Sequence, residues 1–181
     1  DTGIVSMLSF VVAKAVPSGD QWAQLRTRPR ADLLTEAWPD RPELPTGQIY
    51  AHAAPQADAP RSARLARVRE AMARHGATHH FVSTVDDVAW ITNLRGADVE
   101  YNPVFLAHLL IDATRATLFV GAGKVPPALA AELAADGLAL ADYAQAAPAL
   151  AALASGSTLL VDPRRITLGF RQQVPAGVAV V

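Results

Sequence analysis

The sequence predicts an α/β fold in which helices flank a mixed β-sheet. Two observations carry that expectation and a third bounds it. From about residue 62 onward, amphipathic runs of helical period alternate with short β-rich runs. Two apolar runs, "VFLAHLLID" and "ATLFVG", flank the turn residues Asp112 to Arg115. Such a pair makes an antiparallel hairpin, so the sheet is mixed and not purely parallel. No unit of about 20–50 residues repeats, which excludes a solenoid.

The elements follow in order. "IVSMLSFVVAKAV" (4–16) reads as a helix meant to be buried against protein, since it is too short to span a bilayer and contains Lys14. A membrane anchor is the alternative. The chain begins with Asp and not Met, so its first residue is not expected to be a natural N-terminus. Residues 1–38 read as helix, polar connection and then the run "ADLLTEAW", and are expected to be the end of a preceding domain. Residues 39–60 hold prolines at 39, 42, 45, 55 and 60. Each removes a backbone donor and fixes φ, so this segment reads as a stiff linker with a boundary near residue 55. The α/β domain is then expected over 61–181.

"SARLARVREAMARHG" (62–76) places Leu65, Val68, Met72 and Ala73 on one face, with Gly76 available as a left-handed cap. "THHFVST" (78–84) reads as a strand, and "DDVAWITN" (86–93) as a short helix with Asp86 at its N-cap. After the hairpin, "PPALAAELAADG" (126–137) has prolines first and glycine last, the asymmetry expected of a helix. "LALADY" is a weak strand, and "AQAAPALAALASG" a helix with Pro148 inside it. "STLLVDP" (157–163) is a strand, "RRITLGFRQQV" a short helix and "GVAVV" (177–181) a final strand.

Composition narrows the function. The chain of 181 residues is 51% apolar and 18% charged, with a formal net charge of −1. Such a chain is globular and carries no basic stripe for nucleic acid. It has no cysteine, which excludes disulfides, thiolate catalysis and Cys zinc sites. That absence fits a reducing cytoplasm.

Most candidate motifs fall to simpler readings. His79 and His80 are neighbours in a strand and point to opposite faces, so they do not chelate one metal. His52, His75 and His108 are scattered and no HExxH spacing occurs. "VGAGKVPP" (120–127) follows a strand, but its spacing is too short for a phosphate loop and Val125 takes the hydroxyl position, so it reads as a tight exposed turn. No GxSxG elbow is present. Asp86 and Asp87 read as helix capping.

One segment survives, "NLRGADVEYNPVF" (93–105). Polar loops punctuated by glycine and proline carry function more often than cores do. In its plain reading Arg95 pairs with Asp98 or Glu100 on the surface, where an ion pair is worth little. In the sharper one the loop acts on something.

"DDVAWITNLRGADVEYNPVF" and the residues before it, from "VREAMARHG", resemble the middle domain of three-domain Xaa-Pro aminopeptidases (aminopeptidase P), and "AWPDRPELP" resembles the stretch preceding that domain. The resemblance implies a creatinase/prolidase N-terminal-like fold. It further implies a cytoplasmic metallopeptidase that removes the N-terminal residue from X-Pro peptides. The hydrolysis would be done by a later pita-bread domain carrying two divalent metal ions, usually manganese. No residue here matches a ligand position, so this chain is expected to hold no catalytic residue, no metal and no cofactor, and to be inactive alone. Its expected partners are its own catalytic domain, a second subunit in a dimer, and the peptide substrate. The 93–105 loop would help cover the active site, with Asn93, Arg95, Gly96, Asp98, Tyr101 and Asn102 forming a surface that faces the catalytic domain or the tail of a substrate peptide, and Gly96 allowing close backbone approach. A catalytically inactive, protein-binding module is the alternative.

Overall fold

The computed structural model describes residues 37–181. The helix expected at 4–16 and the run "ADLLTE" lie outside the described residues. The chain divides into two units after Pro42, and the unit Glu43–Val181 is described below.

Two sheets form. Strand β1 (Tyr50–Ala51) and strand β3 (Leu94–Arg95) pair antiparallel, Tyr50 opposite Arg95. The larger sheet contains β2 (His79–Val82), β4 (Ala107–Asp112), β5 (Ala116–Val120), β6 (Leu138–Asp142), β7 (Thr158–Leu160) and β8 (Ala179–Val180). Its order is β6-β5-β4-β2-β7-β8. The hairpin β4–β5 and the pair β2–β4 are antiparallel; β2–β7, β5–β6 and β7–β8 are parallel. The sheet is mixed, as the sequence predicts. At the hairpin turn Asp112 Oδ1 accepts from the backbone N–H groups of Thr114 and Arg115, so the polar break turns on a local Asx bond.

Among the described residues, five α-helices cover the sheet: α1 (Arg61–Arg74), α2 (Val85–Thr92), α3 (Pro127–Ala135), α4 (Ala146–Ala151) and α5 (Leu168–Gln173). Alternation along each strand sorts them onto two faces. Val82, Leu109, Ile111 and Leu118 point into one core with Leu65 and Met72 of α1, Val88 and Ile91 of α2, and Leu133 of α3. Their neighbours Phe81, Phe119 and Leu159 build the other, against Leu150 of α4 and Phe170 of α5.

Three expectations change. The Pro-rich stretch is exposed from Pro39 to Gln48, but Ile49 is buried in the first core and the next two residues form β1. The boundary placed near residue 55 therefore falls inside the unit. Proline forbids a long strand there but not a two-residue one. The N-cap of α2 is Thr84, with Asp86 and Asp87 in the first turn. The aspartates keep the favourable position toward the helix dipole but cap nothing. Pro148, expected inside a helix, lies in the first turn of α4, where its missing N–H would have had no partner.

Candidate functional site

The 93–105 loop begins at the end of α2. Asn93 takes the left-handed conformation there (φ 52°, ψ 40°) and stops the helix. Among non-glycine residues asparagine tolerates that region best. Its side chain is buried and its Nδ2 donates to Ala59 O at 2.8 Å. Asn93 is a helix terminator beneath the surface.

At the carboxyl end of α2 the backbone N–H of Asn93 reaches Ala89 O and Trp90 O, and three arginines supply further donors to the last carbonyls. Arg64 donates to Trp90 O at 2.6 Å, Arg61 to Thr92 O at 2.5 Å and Arg95 to Ala89 O at 2.9 Å. Positive charge at this end also complements the helix dipole. Arg61 and Arg64 are buried, and each is further paired, with Asp136 and Asp58. The Arg64 guanidinium lies 4.5 Å from the centre of the Trp90 ring. Its hydrogen bond holds the Asp58 carboxyl below the usual carboxylate range. Arg95 therefore pairs with neither Asp98 nor Glu100. Half-buried, it also donates to its neighbour Leu94 O at 2.8 Å.

Gly96 sits against Phe105. A Cβ there would lie 2.8 Å from Phe105 Cβ and 3.3 Å from Val104 O, so only glycine lets the two arms of the loop approach. The arms are joined by Gly96 N to Pro103 O at 3.3 Å and Asp98 N to Val104 O at 3.2 Å. Asp98 lies at the root of the loop and not on the surface. Its side chain is 0% exposed, ion-paired with Lys124, itself 3% exposed, and its Oδ2 accepts from Leu106 N at 2.7 Å. Lys124 also donates to Pro45 O at 3.1 Å. "VGAGKVPP", expected to be an exposed turn, thus sends its lysine into the interior. Asp98 reached the candidate list, but nothing local in the sequence paired it with a lysine 26 positions on.

Beyond that root the chain makes a turn over Val99–Asn102, closed by Asn102 N to Val99 O at 3.2 Å. Tyr101 occupies its tip with φ 62° and is 97% exposed. A tyrosine in the left-handed region carries strain on the order of 1 kcal/mol, and such strain collects at functional positions. Asn102 is half-buried and its Nδ2 faces Asp86 Oδ1 at 3.4 Å. Of the six candidates, the structure brings Tyr101 and Asn102 to one outward turn, while Asn93, Arg95, Gly96 and Asp98 build what carries it.

A second concave feature lies outside the carboxyl ends of β2 and β7, whose following helices pack on opposite faces. It is a crevice of about 230 Å³ lined by His80, Asp87, Trp90, Asp162 and Arg165. Open α/β sheets bind ligands at such switch points. Here His80 Nδ1 is 2.9 Å from Leu160 O, and Arg165 pairs with Asp162. Burial lowers the His80 pKa, which its hydrogen bond to Leu160 and the charge of Asp87 oppose. Among the described residues no group of three or more His, Asp or Glu side chains is placed to hold a metal ion. These residues do not offer the ligand set that two metal ions need.

This architecture defines a class. Residues 40–181 match the creatinase/prolidase N-terminal domain, and the chain belongs to that family. Within it, the chain is similar to aminopeptidase P2 of Arabidopsis thaliana, 32% identical over 139 residues that cover 76% of this chain and 20% of that protein. It is also similar to Xaa-Pro aminopeptidase 1 of Dictyostelium discoideum, 30% identical over 137 residues, covering 74% of this chain and 22% of that protein. The chain thus spans about a fifth of the length of these relatives. In fold it is similar to an X-prolyl aminopeptidase from Caenorhabditis elegans, described as a cytosolic enzyme with a di-nuclear active site. The TM-score is 0.74 at 18% identity, covering 83% of this chain and 26% of that one. No helix among the described residues is long and apolar enough to cross a membrane.

Proposed function

We propose that this chain is the non-catalytic domain of a cytoplasmic, metal-dependent Xaa-Pro aminopeptidase, and that the Val99–Asn102 turn covers the active site of the catalytic domain, its own or that of a second subunit. The relatives named above support the peptidase. The observation that carries the role of the turn is Tyr101, almost wholly exposed and held in a strained backbone. An exposed aromatic ring with a hydroxyl, beside an amide, can close over a peptide, exclude water and meet its polar end. Hydrolysis belongs to the catalytic domain and its two metal ions, manganese in this reading. The Asp98–Lys124 and Arg95 contacts hold the turn and touch no substrate.

A peptidase assay with Arg-Pro-Pro and added manganese, on this chain beside the full-length enzyme this reading requires, tests the proposal. Cleavage is expected from the full-length protein alone. Tyr101→Ala in that protein should lower kcat/KM by about tenfold without changing its unfolding midpoint. Tyr101 suits this test better than Arg95, whose removal would also strip a cap from α2. An unchanged kcat/KM would sink the covering role, and inactivity of the full-length protein would favour a protein-binding module.

A further inference from the structure

We infer that Lys124 is a positioning residue for the Val99–Asn102 turn. Its buried ammonium fixes the root of the loop through Asp98 and so presents Tyr101 in one orientation. What the turn touches rests on the function proposed above; that Lys124 positions it does not.

The geometry is a clamp across three segments. Lys124 Nζ binds the Asp98 carboxylate and Pro45 O, and Lys124 O accepts from Ile49 N at 2.8 Å. Asp98 Oδ2 accepts from Leu106 N, on the return arm of the loop. One ion pair thus joins the entry to β1, both arms of the loop and the turn before α3. Stability alone does not account for it. Both partners are buried, and Asp98 Oδ1 has no hydrogen-bond partner among the described residues. Desolvating two charges and leaving one acceptor orphaned offsets the attraction between them, so apolar or neutral groups of similar size would stabilise this site as well. What neutral groups cannot supply is direction. Charge-assisted hydrogen bonds from one ammonium to a carboxylate and a carbonyl hold the loop in one register. Beyond Asp98, among the described residues, the turn has two backbone bonds, Asn102 N to Val99 O and Val104 N to Asn102 O, and one long side-chain bond, from Asn102 Nδ2 to Asp86 Oδ1 at 3.4 Å. Its strained tip needs a fixed root to remain where it is.

The test exchanges the charged pair for a neutral one, Asp98→Asn with Lys124→Met, in this 181-residue chain. Asparagine still accepts from Leu106 N. Native-state hydrogen exchange is then read at Gly96, Asn102 and Val104 in the loop, and at Leu109 and Leu118 in the sheet. The expected result is a loss of loop protection of about tenfold or more, with the sheet within about threefold of the parent chain. Equal losses everywhere would reduce the pair to general stability and overturn the inference. So would unchanged loop protection. Should the double variant fail to fold, Asp98→Asn with Lys124→Gln, which keeps both positions neutral and leaves an amide donor toward Pro45 O, is measured against the same two outcomes.

In the full-length enzyme the double variant should raise KM for Arg-Pro-Pro by about tenfold and leave kcat near its parent value, as for a lost uniform binding contact. A full-length protein that cleaves no Xaa-Pro peptide would remove the proposed function and leave the exchange result to decide the role of Lys124.

Discussion

At Gly96 one hydrogen atom decides whether the loop can close. The Cβ of any other residue would enter the space of Phe105, which is fully buried. Both neighbours are constrained, Phe105 by the core and Gly96 by its bond to Pro103 O, so neither moves freely. Gly96→Ala should therefore destabilise the chain by about 1–3 kcal/mol, the usual range for an overpacked site. The urea midpoint checks this, and an unaltered midpoint would mean that the arms separate at no cost. Asn93 makes the complementary point. The sequence marks it as a polar loop residue, and the structure uses its tolerance of positive φ to end a helix.

At the scale of elements, α2 is the support from which the loop departs. Its eight residues are too few for a helix to persist alone in water. Apolar contacts of Val88 and Ile91 hold one side, and three arginines close its carboxyl end. Arg64 contributes most visibly, with a bond to Trp90 O, an ion pair with Asp58 and a stack on the Trp90 ring. Arg64→Ala is expected to lower stability by about 2 kcal/mol, because a half-buried carbonyl loses its charged donor and a buried side chain is cut away from the Trp90 ring. The same urea titration decides it. A loss under about 0.5 kcal/mol, the level of an ordinary surface change, would show that water replaces the guanidinium. The apolar face of α1 was legible from its period, but the burial of Arg61 and Arg64 was not. Nothing local reveals that carbonyls of another helix await them.

Across the whole molecule, the second core encloses a titratable group. His108 of β4 is 7% exposed and lies among Phe81, Tyr143 and Phe170, with ring centres 5.6, 4.8 and 4.6 Å away. Burial lowers its pKa to about 4 from an ordinary 6.5. The folded chain thus resists a proton that the unfolded chain accepts. Stability is full above pH 6.5 and is lost as pH falls from there toward 4, by on the order of 2 kcal/mol. His108→Phe should remove most of that slope between pH 7 and 5, leaving a smaller part from His80, also lowered by burial. Unfolding curves at the two pH values measure it. An equal slope in the variant would assign the acid sensitivity elsewhere.

The sequence by itself determined the class of fold, because period and turn chemistry are local. Alternation placed Val82 and Phe81 on opposite faces, the polar break at Asp112–Arg115 made the hairpin, and Gly and Pro marked most element ends. It also singled out the 93–105 loop by composition. Tertiary structure decided the rest. The proline-rich segment was read as a linker up to residue 60, yet Ile49 completes the core, since a proline restricts its own backbone and not its neighbours' burial. Asp98 and Lys124 were separated by an assumption that both were exposed, and folding brings them into one dry contact. Which polar residues of a loop face outward depends on what lies beneath them, and that is set by segments far along the chain. Only there was Tyr101 distinguished from Asp98.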